Sequence, residues 1–192
     1  MTNSKANSAV MYWTRMLLIA LAIACTPAGA ADDQSERRVL IGVKLFPALL
    51  AADQELDVKR EADGRLRIVV LFKEDGEVAR EAAARLSAVK AIRNQPLRVS
   101  TLPYSRLTEL DKDVPAALFL AEWSPDDLAC VVRYGIAHRR IVFSPFLGDV
   151  TKGASAGIFV GDRILPLINP ETLTAAGIAL KPFLLEVART NE

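Results

Sequence analysis

The stretch GIFVGDRILPLINPETLTAAGIALKPFLLEVAR, Gly157–Arg189, decides how this chain is read. Two apolar runs, Ile158–Val160 and Ile164–Ile168, flank Gly161-Asp162-Arg163. That spacing predicts a β-hairpin closed by a tight Gly-Asp turn, with Gly161 supplying a positive φ. Asn169-Pro170 then reads as a helix start, because Asn can accept a free backbone N–H and Pro has none to satisfy. Gly177 marks where that short helix ends. Pro182–Arg189 predicts a last helix whose buried face is Phe183, Leu184, Val187 and Ala188. The element is well specified and carries no obvious chemistry.

The chain has 192 residues and is 51% hydrophobic, enough for one domain with a core. Lys5 and Arg15 are the only charges in residues 1–30, so the remainder carries 22 basic and 23 acidic side chains. A net charge of −1 gives no reason to expect a nucleic-acid partner. Residues 1–30 read as a secretory signal peptide. The basic residues form its n-region, Met16–Ala24 its apolar core, and Ala28-Gly29-Ala30 a small-x-small cleavage site. The apolar run is too short for a spanning helix, so no membrane insertion is expected after cleavage. Cys25 would be a lipoprotein site, but Ala22 stands where such a site carries leucine. The expected location is the periplasm. Cys130 is then the only cysteine left, which excludes an internal disulfide. Its neighbours Ala129 and Val131 suggest a small buried residue on a helix.

The order of the chain points to an α/β fold. Val39, Leu40, Val43, Phe46 and Leu50 fall at helical spacings, predicting a first helix from Ser35 to about Ala52, interrupted at Pro47. Asp53–Gly64 reads as a solvated charged loop without calcium-site spacing. Arg65–Phe72, Leu97–Leu102, Ala116–Ala121 and Arg140–Ser144 read as short apolar strands. Between them come an Ala-rich helix, Glu77–Ala91, and a helical turn, Tyr104–Asp111, which Ser105 could cap. A third helix is announced by Ser124-Pro125-Asp126-Asp127. Strands alternating with helices imply a mixed, mostly parallel sheet flanked by helices, Rossmann-like and three-layered, with a C-terminal antiparallel hairpin. Pro166 inside a strand implies an edge or a bulge. One domain covers residues 32–192.

The sequence offers no catalytic constellation. His138 is the only histidine, no serine sits in a nucleophile elbow, and one His with one Cys cannot build a structural zinc site. His138-Arg139-Arg140 reads as a basic cluster at a helix end. Gly153, Gly157 and Gly161 lack the order of a phosphate loop, so no cofactor and no metal are expected. In an open α/β sheet the usual crevice lies at the carboxyl ends of the strands. The loops there contribute Tyr104, Trp123 and Phe146, candidate anchors for a partner or ligand.

These residues also carry a resemblance. The Gly-x-Arg-Ile strand (Gly161 to Ile164), a strand ending in Ile168-Asn169, Ala175-Ala176-Gly177-Ile178 and the closing Leu184-Leu185-Glu186-Val187-Ala188-Arg189 resemble the YfiR-like periplasmic proteins. The upstream order of elements is also similar. Two features depart from that pattern. The first helix reads Leu45-Phe46-Pro47-Ala48 where the family often has an aromatic F-x-x-W-P ending, and the acid before Ile168-Asn169 is missing. The resemblance implies a regulatory protein that binds the periplasmic sensor region of an inner-membrane signalling protein such as a diguanylate cyclase, lowering cyclic-di-GMP synthesis. It adds Phe46, on the variable first helix, to the candidate contact residues. A homodimer is left open. Two other readings stand beside it: a small solute-binding protein using the crevice, and an enzyme working through Asp149 or Glu122.

Overall fold

The computed structural model describes residues 29–74 and 76–191. The proposed leader and the Cys25 alternative lie outside them. The chain divides after Asp33, and the compact unit Gln34–Glu192 holds the fold. No helix among the described residues is long and apolar enough to cross a membrane.

The architecture is α/β. Its eight-stranded sheet runs in the order β2-β3-β1-β4-β5-β6-β7-β8. The strands are β1 (Leu66–Phe72), β2 (Ala91–Ile92), β3 (Gln95–Pro103), β4 (Ala117–Leu120), β5 (Ile141–Ser144), β6 (Ala156–Val160), β7 (Ile164–Ile168) and β8 (Arg189–Thr190). The central pairs β3–β1, β1–β4, β4–β5 and β5–β6 are parallel. The β6–β7 pair is antiparallel, as the apolar runs on either side of Gly161 require. The helices are α1 (Gly29–Ala51), α2 (Glu77–Ser87), α3 (Pro125–His138), α4 (Pro170–Ala175) and α5 (Pro182–Leu185).

Neighbouring residues on a strand point to opposite sheet faces, and this settles the layers. Phe46 of α1 packs on Phe119 of β4 and Phe143 of β5, with ring centroids 5.4 Å away in both cases. Gly135 of α3 lies against Val142, the residue before Phe143, so α3 covers the other face. A side chain at Gly135 would collide with Val142 and the Arg140 carbonyl. Right-handed crossovers then place α2 with α1, since β1→β3 and β4→β5 run in opposite directions across the sheet.

Several local expectations are corrected. α1 starts earlier than Ser35 and continues through Pro47 without a break. Phe46, Leu49 and Leu50 on either side of the proline are fully buried, and that packing outweighs the lost backbone bond. Asp53–Gly64 is not a plain solvated loop. Asp53 is 0% and Lys59 5% exposed, joined by a 2.5 Å ion pair. Burial lowers the Lys59 ammonium pKa, while Asp53 pulls it back up. Strand β2 has no counterpart in the sequence pattern. It folds back on β3 through Arg93 and Asn94, both at positive φ, and Arg93 is held there by Asp57 and the Asp53 carbonyl. Gly161 does not have a positive φ. Its missing side chain leaves room for the Phe159 ring, which a Cβ would approach to 2.7 Å. The last helix is one short turn. Phe183 and Val187 are exposed, Leu184 is buried, and the chain then extends into β8.

Asn169 caps α4 as expected, accepting the Thr172 N–H at 2.9 Å. Gly177 follows that helix at φ 62°, the left-handed value a helix C-terminus favours. Pro166 pairs with Ile158 on one side only, because β8 covers just Leu167 and Ile168. β7 is therefore an open edge at that residue, where a missing N–H costs nothing.

Truncating Phe46 removes a ring from a fully buried aromatic triad. Phe46→Ala is expected to cost about 3–5 kcal/mol of folding stability, read as a lower urea midpoint with unchanged m-value.

Candidate functional site

The carboxyl ends of the strands gather three of the four aromatic candidates. Tyr104 follows β3, Trp123 follows β4 and Phe146 follows β5. Phe46 is separated from them: it is 0% exposed in the core triad, beneath the surface rather than at it. Tyr104 is also buried, its hydroxyl donating to the Glu122 carbonyl at 2.7 Å. Trp123 stands out at 52% exposed, and Leu147 beside it at 84%.

The sheet changes direction between β1 and β4, where an α/β domain usually opens its ligand crevice. Here the chain fills that place itself. The Glu122 carboxylate accepts the backbone N–H groups of Lys73 and Glu74 at 2.8 and 3.1 Å. Those are the donors a phosphate or another anion would otherwise use.

An open crevice of about 280 Å³ lies next to it instead, at the ends of β4 and β5 under α1. Its walls are Gln34, Ser35 and Arg38 from α1, Trp123, and Phe146 with Leu147. Ser35 and Arg38 reach it because they continue the stripe of α1 that holds Gly42 and Phe46, at spacings of three and four residues. Arg38 Nε donates to the Pro145 carbonyl at 2.6 Å. Burial lowers the pKa of its guanidinium, and nearby Asp149 raises it.

Asp149 is the anomaly of the site. It is 2% exposed. Ser144 Oγ donates to its Oδ2 at 2.6 Å and accepts the Phe146 N–H at 3.2 Å, which ties the loop after β5 into one unit. The other oxygen, Oδ1, is buried without a hydrogen-bond partner. Trp123 lies close enough to favour the charged carboxylate, though its indole completes no hydrogen bond of normal geometry to Oδ1. Burial dominates and pushes the carboxyl pKa above its usual range, with Ser144, Lys152, Trp123 and Arg38 opposing. Tyr104 feels the same surroundings: burial, then Asp149, Glu122 and Asp127, push its phenol pKa far up.

The remaining candidates lie elsewhere. His138 is at the far end of α3, about 20 Å along the helix from Ser124. Its Nε2 is 3.2 Å from Asp111 Oδ1, and its ring lies against Tyr134. Ser124 stands at the N-cap of α3, but its hydroxyl donates to Asp127 Oδ2 rather than accepting from the helix. Ser105 caps nothing. Cys130 is exposed rather than buried, on the outer side of α3 with Arg133 3.1 Å from its sulfur. No group of three metal-ligating side chains occurs among the described residues.

No protein-family model matches this chain, and no curated protein matches it. Solved structures do, and two of them are as follows. One is an ABC domain in complex with L-Trp from Streptococcus pneumonia, at TM-score 0.54 and 11% identity, covering 79% of this chain and 61% of that one. The other is a conserved domain protein from Vibrio cholerae O1 biovar eltor, at TM-score 0.47 and 15% identity, covering 69% of this chain and 57% of that one. The chain thus spans about three fifths of these two structures. The first likeness agrees with the α/β fold.

The Asp149 carboxyl has a folded pKa above its unfolded one, because burial disfavours its charged form. Its protonated form therefore contributes stability below about pH 4, and that contribution is lost as pH rises through the folded value. Asp149→Asn keeps the shape and removes the charge. Its melting temperature relative to wild type is expected to rise between about pH 4 and about pH 7.5. A constant difference across that range would exclude a raised Asp149 pKa.

Proposed function

We propose that this protein is a non-catalytic regulatory protein of the bacterial periplasm, docking the sensor region of an inner-membrane signalling protein through the rim of the strand-end crevice. One observation carries the docking surface. Trp123 and Leu147 are large, apolar and exposed, and they stand together on loops anchored by buried strands. Exposed aromatic anchors on a rigid support are what protein interfaces use, since little side-chain freedom is lost on binding. The leader of residues 1–30 supports the compartment. The YfiR-like pattern of Gly157–Arg189 supports the class of partner, such as a diguanylate cyclase whose inactive state the bound protein favours.

Trp123→Ala combined with Leu147→Asp is expected to weaken binding to the isolated periplasmic region of that partner by tenfold or more, about 1.4 kcal/mol, with the melting temperature unchanged. A membrane cyclase or sensor, where one is encoded beside this gene, is the first partner to test. Affinity equal to wild type in a titration by calorimetry would sink this surface as the docking site.

A second reading is a small solute held in the crevice. What favours this reading is the fold shared with a domain solved with L-Trp. The crevice falls just short of the ~300–1,000 Å³ of ordinary ligand pockets and is open on one side, which is why docking ranks first. A thermal-shift screen across amino acids, sugars and nucleotides decides it. A concentration-dependent rise in melting temperature with one class supports the solute reading, and none with any class removes it.

A further inference from the structure

Asp149 does not line the crevice, yet three groups that act on its carboxylate lead to residues that do. Its backbone carbonyl accepts the N–H groups of Lys152 and Ala154 at 3.1 and 2.9 Å, which fixes the position of its side chain. Ser144 Oγ donates to Oδ2 and accepts the N–H of Phe146, a crevice wall next to Leu147. Trp123, on the loop after β4, is a looser side-chain hydrogen-bond partner of the same carboxylate and favours its charged form. Arg38 of α1 faces the carboxylate as a charge while its Nε holds the Pro145 carbonyl. One buried group thus meets the loop after β4, the loop after β5 and α1, the three elements that carry the docking rim.

The charged groups around Asp149 are few. Arg38 faces it from α1 and Lys152 from its own loop. Tyr104 faces it from the turn after β3, and its phenol pKa is pushed far up, so it stays neutral. Glu122 and Asp127 also act on Tyr104, but Glu122 is bound by the Lys73 and Glu74 N–H groups and Asp127 by the Ser124 hydroxyl. Asp149 is 2% exposed, and burial opposes its charge. A proton on this carboxyl removes the negative charge, and the Trp123 indole N–H then keeps only a weak neutral acceptor.

We propose that Asp149 is the positioning residue of the docking rim: its carboxylate holds Trp123 and the Phe146–Leu147 loop in the docking arrangement, and its protonation releases Trp123, so that docking weakens as the surroundings acidify. This inference rests on the docking reading and adds the regulation of that surface. The release has its own signature. Burial opposes the charge, so protonation of Asp149 stabilises the fold relative to Asp149→Asn while it frees Trp123. Acid unfolding would free Trp123 and destabilise the fold together.

The test uses the full chain carrying Trp13→Phe, which leaves Trp123 as the sole tryptophan. Quenching of its emission by acrylamide is followed from about pH 7.5 to about pH 4, with circular dichroism to show that the chain stays folded. Quenching is expected to rise as pH falls, through a one-proton transition with its midpoint above the usual aspartate range. Asp149→Asn should be quenched strongly at both ends. Lys152→Gln, at an exposed position, should move the midpoint to higher pH, because Lys152 favours the carboxylate. A flat wild-type profile, or one that Asp149→Asn leaves unchanged, overturns the proposal. Calorimetry with the membrane partner adds the link to docking. Wild type should bind about fivefold more tightly than Asp149→Asn at neutral pH, and the ratio should approach one at about pH 4. A ratio that does not change with pH overturns the positioning role while docking stands. Retention of the partner by the variant combining Trp123→Ala with Leu147→Asp removes the docking reading and this inference with it.

Discussion

The packing of Phe46 between Phe119 and Phe143 is the constraint on which the site depends. Phe119 and Phe143 stack on neighbouring strands, with centroids 5.3 Å apart and planes 15° apart, and Phe46 meets both at steep angles. Aromatic pairs in such arrangements add about 0.5–1.5 kcal/mol each beyond the area they bury. Gly42 lets the helix come this close, since a Cβ there would stand 2.9 Å from the Phe143 ring and 3.1 Å from Pro145. One turn further toward the helix start, Arg38 meets the Pro145 carbonyl. The helix that closes the core is thus the same rigid body that walls the crevice, and the two cannot shift independently.

The other end of α1 is held by polar chemistry. Asp53 follows the helix, pairs with Lys59, and bridges by its backbone to Leu180. Its carbonyl also accepts Arg93. Taking both charges out of water is costly, so the pair contributes more to fixing one arrangement than to net stability. With the aromatic triad beneath its C-terminal half and this ionic junction just past its end, α1 is fixed on the sheet, and the exposed side chains of the rim sit on a support with little freedom to lose. A preformed surface of that kind loses less entropy when it binds.

Much of this is legible in the sequence, and the features that are not share a cause. Strand and helix order follow from short apolar runs and their spacing, so the parallel sheet, the β6–β7 hairpin and the Asn169 cap can be read directly. Trp123 and Phe146 can be placed near one crevice because loops at strand ends converge in any open α/β sheet. What cannot be read depends on contacts between distant residues. Pro47 does not break α1 because tertiary burial outweighs a local rule. Asp53 and Lys59 look like loop charges until the fold encloses them. Arg93 takes a left-handed conformation that its residue type disfavours, and Asp57, distant in the chain, holds it there. Phe46 falls on the first helix, where the sequence departs from the pattern it resembles, and so invites a surface role, although its helical spacing with Val39, Val43 and Leu50 already marks it as core. Arg38 carries a usable signal, a charge on the inward stripe four residues before Gly42, and that pattern alone does not say what it faces.

Glu122 sets this sheet apart from α/β folds that hold a nucleotide at the same place. In those folds the turn after the first strand is left open so that its N–H groups can hold a diffusible anion. Here a covalently attached carboxylate sits on the same donors at 2.8 and 3.1 Å and is present at an effective concentration no free phosphate reaches. The joint across these two loops is therefore intramolecular and needs no diffusible anion. The loops after β1 and β4 are thus joined by the chain's own side chain, right beside the open crevice.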